Sequence, residues 1–176
     1  SAIIPDLSQS KINSLNISDT VLFWTNQCTY EDLKELIKVA YNFNQMEVNQ
    51  NFPLRGAVVK GFIKVVSGKN VNEVGGSHSI QCLYGKGLVH AHDIAEAQQW
   101  SGCIVDDSVI QDLEIEPEGI PFIESLAIKY NVPFKEKAFG RAFQEFYAFK
   151  LKRSALNNKE HLENALNSIV RVFSQD

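Results

Sequence analysis

Asp19 lies in the stretch "SLNISDTVLFWT", in a polar break between a short extended run and a strongly apolar one. Two chemistries suit it. Ser18-Asp19 ahead of a strand is turn chemistry, because both side chains can bond nearby backbone N–H groups. A carboxylate there can also be one half of a divalent-metal site whose other half lies elsewhere. On these residues alone both readings stay open.

Other groups invite chemistry too. Arg55 in "PLRGAVVKG" falls on an otherwise apolar strand face, where a guanidinium needs a carboxylate or phosphate partner. Gly85-Lys86-Gly87, opening a helix, can offer free N–H groups to a phosphate. Glycines at a tight strand-to-helix junction also answer a purely steric need. His90 and His92 are two positions apart on a helix, hence on nearly opposite faces, and do not share an ion. Cysteine, histidine and aspartate are all present, yet nothing local forms a nucleophile motif.

The elements that must position these groups follow from composition and period. The chain has 176 residues, enough for one domain with a sizeable core, and 44% hydrophobic with 22% charged residues is an ordinary globular balance. A net charge of −4 leaves no basic stripe for nucleic acid. No apolar run is long enough to span a membrane, and no secretory signal is present. Cys28, Cys82 and Cys103 lack metal-type spacing and fit reduced thiols in the cytoplasm. The opening "SAIIPD", without methionine, reads as a tag scar or a trimmed fragment.

Thr20–Thr25 reads as a strand. A helix follows, with Thr29 as N-cap, Asp32 three residues on, and Leu33, Leu36, Ile37, Ala40 and Tyr41 along one face. Leu54 to Val66 reads as one long strand. Period two puts Arg55, Ala57, Val59, Gly61, Ile63 and Val65 on its buried side. Ser67–His78 is turn and loop chemistry at a hairpin tip. "SIQCLY" is extended, and "GKGLVHAHDIAEAQQW" enters a helix with Leu88, Ala91 and Ala95 on one stripe. "GCIVDDS" is a short strand ending in acids. Further extended segments follow, Phe143 to Leu151 the clearest, and residues 153–176 form an amphipathic helix. The alternation predicts a single domain of α/β (α+β) class, with the strands near Thr20 and Arg55 in one antiparallel-rich sheet and the helices from Thr29 and Gly85 on one face.

In order and spacing, "ISDTVLFWT", "PLRGAVVKG" and "LYGKGLVHAHDIAEAQQWSGCIVDDSV" resemble the core of class III nucleotidyl cyclases. The resemblance is closest to the compact bacterial branch that includes the Pycsar antiphage pyrimidine cyclases, and it covers Asn16 to Val109. It implies a ferredoxin-like sheet and closure of a nucleoside triphosphate to a 3′,5′-cyclic nucleotide, with Mg²⁺ or Mn²⁺ as cofactor. By resemblance Asp19 is the second of two metal-holding aspartates. The first belongs to an upstream strand that this sequence lacks, so the fragment is expected to be inactive. Arg55 then joins Asp19 in catalysis, Gly85, Lys86 and Gly87 bind substrate, and Cys82 falls near the base-reading position. A homodimer is implied, with Gly56 and Gly61 permitting close approach. The family's transition-state Asn and Arg are replaced here by Val89 or His90 and by Asp93. The alternative is a cyclase-fold module without catalysis that binds nucleotide or a protein partner.

Overall fold

The computed structural model describes residues 10–50, 52, 54–135, 140 and 142–151. The helix expected over residues 153–176 lies outside them. In chain order the elements are β1 (Asn13–Ile17), β2 (Thr20–Trp24), α1 (Tyr30–Asn49), β3 (Arg55–Val58), β4 (Lys64–Val71) and β5 (Ser77–Tyr84). Then come α2 (Lys86–Ala97), β6 (Gly102–Val105), α3 (Asp107–Glu114), α4 (Gly119–Leu126), β7 (Ala127–Pro133) and β8 (Phe143–Phe149). The class is mixed α/β with antiparallel-rich sheets, as expected.

The main sheet has four strands in the order β3-β6-β8-β7. β3 runs parallel to β6, with Arg55 opposite Gly102, and the remaining pairs are antiparallel. β6, "GCIV", is buried along its whole length, as a nearly continuous apolar strand should be when both sheet faces are covered. Its alternation sorts the core. Cys103 and Val105 join Val58 and residues of α1, α3 and α4 on one face. Ile104 joins Ile94 and Ala97 of α2, with Val132, Phe134 and Phe146, on the other.

α1 begins as its sequence dictates. Thr29 caps it, its hydroxyl accepting from Asp32 N at 3.2 Å. Ile37 and Tyr41 are buried, with Leu33, Leu36 and Ala40 packed around them. In α2 the deeply buried residues are Ile94 and Ala97, one step round from the expected stripe.

Three expectations are corrected. The long strand from Leu54 to Val66 does not exist as one element: β3 ends at Val58, and β4 belongs to a separate hairpin with β5. The physical cause is Gly61, whose backbone is pressed against Gly87 so closely that a Cβ on Gly61 would sit 2.4 Å from Gly87 Cα. A strand bearing side chains on both faces cannot make that approach. Second, β2 pairs only with β1 among the described residues and shares no sheet with β3. Third, α1 and α2 cover opposite faces. α2 lies in the crossover between the parallel strands β3 and β6, which must pass over one face, while α1 packs on the other.

Gln98 ties α2 to the sheet. It is fully buried, its Nε2 donates to Gly56 O at 3.0 Å, and its Oε1 accepts from Trp100 Nε1 at 2.7 Å. Trp100 in turn stacks on Tyr130 at 5.1 Å. Replacing Gln98 by Ala strands the indole N–H and opens a hole, so Gln98→Ala should lose about 1–3 kcal/mol in urea unfolding. A loss below roughly 0.5 kcal/mol, the range of neutral surface changes, would contradict this role.

Candidate functional site

Parallel strands β3 and β6 both end at the same rim of the sheet, and polar groups gather where they exit. Asp106 follows β6 directly; its N–H donates to Val58 O at 2.9 Å, locking the two strand ends together. Its carboxylate caps α3, accepting from Ser108 N at 3.0 Å and from the Ser108 hydroxyl. Ser108 Oγ accepts from Lys60 N at 3.2 Å, and Lys60 Nζ bridges to Asp112 at 2.8 Å. His90 of α2 places Nε2 3.6 Å from the other Asp106 oxygen. This is an ion pair only when the imidazole is protonated.

The composition tempts a nucleophilic reading, but the order of contacts does not support it. The Ser108 hydroxyl donates to Asp106 and does not face His90 as its base, so the serine is not activated as a nucleophile. The group works as a latch. Asp106 satisfies the first turn of α3, and Ser108 and Asp112 hold the Lys60 loop beside it.

The glycines beside this latch are occupied. Gly87 N donates to Phe62 O at 3.0 Å, so that N–H is not free for a phosphate. Gly85 has φ +150°, and a Cβ there would meet Phe62 O at 2.1 Å. Of the two readings of Gly85-Lys86-Gly87, the geometry at both glycines is the steric one. Lys86 is exposed at the start of α2. Gly56 and Gly61 also make their close approaches inside the chain, to Cys103 and Gly87.

Arg55 lies at the opposite end of β3. It is exposed rather than buried, and it does find a carboxylate: Nη2 sits 3.4 Å from Glu96, while Nη1 donates to Gln98 O at 3.2 Å. A cation over the last carbonyls of α2 complements the helix end. Lys86 and Gln98 thus mark the two ends of α2, which at 1.5 Å per residue lie roughly 18 Å apart. Arg55 and the glycine turn therefore belong to different ends of the sheet.

Asp19 occupies the two-residue turn between β1 and β2, where Ser18 takes φ 58°. Its exposed carboxylate accepts a long bond from Thr20 Oγ1 at 3.5 Å. Among the described residues no three His, Cys, Asp or Glu side chains are placed to hold a metal ion. Asp19 by itself is a poor match for Mg²⁺ or Mn²⁺, which want several oxygen ligands. Cys82 is exposed on β5, opposite Val66 in the β4–β5 hairpin. His92 is exposed and apart from His90. The sequence marks "GCIVDDS" as a strand ending in acids but gives Asp106, Ser108, Lys60 and Asp112 no site role. The signal was present, since Asp-Asp-Ser after an apolar strand is helix-cap chemistry.

No protein-family model, no curated protein and no solved structure matches this chain.

The three thiols separate by burial. Cys28 and Cys82 are exposed, whereas burial pushes the Cys103 thiol up to about 12. With a disulfide reagent at pH 8, Cys28 and Cys82 should react promptly and Cys103 only after unfolding. Prompt reaction at Cys103 would contradict the packing of β6.

Proposed function

We propose that the chain is a nucleotide-cyclase-like domain whose intact parent converts a nucleoside triphosphate to a 3′,5′-cyclic nucleotide and pyrophosphate. The ribose 3′-oxygen attacks the α-phosphorus, the bond to the bridging oxygen of the β-phosphate breaks, and the hydroxyl proton passes to a base or solvent. The observation that carries the reading is Asp19, an exposed acid at the tip of the β1–β2 hairpin, within an ordered set of motifs resembling class III cyclases. In this reading Asp19 holds Mg²⁺ or Mn²⁺ together with a second carboxylate from a segment beyond the described residues. The setting is cytoplasmic, the active form is a homodimer, and the product serves antiphage signalling. No helix of the described residues is long and apolar enough to cross a membrane.

A second reading, a catalytically silent module that binds nucleotide or a partner, is favoured by Arg55. Glu96 and the end of α2 already engage its guanidinium.

Incubated with each of the four ribonucleoside triphosphates and Mn²⁺, this chain should form no cyclic product. The chain extended by its upstream coding sequence should form one, and Asp19→Ala in that protein should abolish turnover with little effect on the melting temperature. Equal activity of the extended protein and its Asp19→Ala variant would return Asp19 to a turn residue. No activity in the extended protein would favour the silent module.

A further inference from the structure

We infer that β1, β2 and α1 form one N-terminal unit that opens away from the four-stranded sheet while the sheet stays folded, carrying Asp19 with it. The inference goes beyond the nucleotide chemistry, because it rests on the packing of α1 alone.

The unit is continuous in sequence, as cooperative opening units usually are. Among the described residues its hairpin shares no strand pairing with the main sheet. The hairpin is tied to α1 instead. Phe23 of β2 meets Phe43 edge-on at 5.4 Å. Just ahead of β1, the Ser10 hydroxyl and Lys11 N both donate to the Glu35 carboxylate, Lys11 at 3.0 Å. Asp19, in the β1–β2 turn, therefore follows α1 wherever it goes.

The seam between α1 and the sheet works against itself. Ile37 is fully buried there, and Tyr41 meets Phe149 at 5.6 Å. Leu33, Leu36 and Ala40 add apolar area around them. Tyr30 and Asn44 continue the same stripe at helical spacing. The hydroxyls of Tyr30 and Tyr41 and both amide atoms of Asn44 are buried, and none has a hydrogen-bond partner among the described residues. Asn44 is 1% exposed. Buried polar atoms are nearly always paired, and each unpaired one opposes burial. Docking α1 strips these atoms of solvent and gives nothing back; opening restores their bonds to water. The sheet carries no such handicap at its centre. β6 is buried along its whole length between β3 and β8. With α1 lifted, Val109, Leu113 and Ile123 of α3 and α4 remain in the core on that face, and α2 still covers the other.

Hydrogen exchange on the whole chain tests this. After correction for intrinsic rates, interior amides of α1 should exchange roughly ten-fold faster, or more, than those of β6. Tyr41→Phe removes one unpaired hydroxyl and adds no atom, so it should slow exchange in α1 by roughly three-fold or more. Asn44→Leu should act in the same direction. Phe146→Leu weakens the face away from α1. It should speed exchange in β6 and leave α1 unchanged, since Phe146 stays packed when α1 opens. Equal rates in α1 and β6, or faster exchange in α1 on Phe146→Leu, would mean that α1 opens only with the whole domain and would overturn the inference. So would a Tyr41→Phe variant whose α1 rates are unchanged or raised.

Discussion

The backbone contact between Gly61 and Gly87 is the constraint on which most of the architecture hangs. With no Cβ on either side, the loop after β3 and the first turn of α2 meet atom against atom, and Gly87 N reaches Phe62 O at 3.0 Å. That contact stops β3, turns the chain outward into the β4–β5 hairpin, and pins the N-terminal end of α2 at the strand exit. Its C-terminal end is pinned by Gln98 and Arg55. Held at both ends, α2 lies along β3 and brings His90 over Asp106. The strand-exit latch is a consequence of where the helix is forced to start.

This also explains which parts of the fold were legible. α1 announced itself through Thr29, Asp32 and an apolar stripe, all local signals that the structure keeps. "RGAVVKGFIKVV" has strand propensity throughout, and nothing local marks Gly61 as an end; the break is decided by a partner glycine 26 positions later. α3 and α4 went unread for a different reason. Asp106 as a cap and Pro121 in the first turn of α4 are recognisable start signals, but each helix has only eight residues, too few for its period to stand out. The candidate site divides the same way. The Asp19 turn was readable from two adjacent residues, whereas the His90–Asp106 pairing spans a helix, a turn and a strand.

The two ends of the β3–β6 pair now carry different duties. At the starting end, Arg55, Glu96, Gln98 and Trp100 form a structural tie. At the exit, Lys60, Ser108, Asp106 and His90 form a latch with one half-exposed imidazole. Asp19 sits on its own hairpin, in the turn between β1 and β2, and among the described residues no three His, Cys, Asp or Glu side chains gather to hold a metal ion.

The claim that the glycine contact organises this half of the molecule is tested most directly by urea unfolding of Gly61→Ala beside Gly68→Ala. A Cβ at Gly68 meets nothing within 4 Å, whereas at Gly61 it strikes the Gly87 backbone. The account predicts that Gly61→Ala loses about 1–3 kcal/mol or more through overpacking, while Gly68→Ala stays close to wild type. Equal stability of the two variants would contradict it.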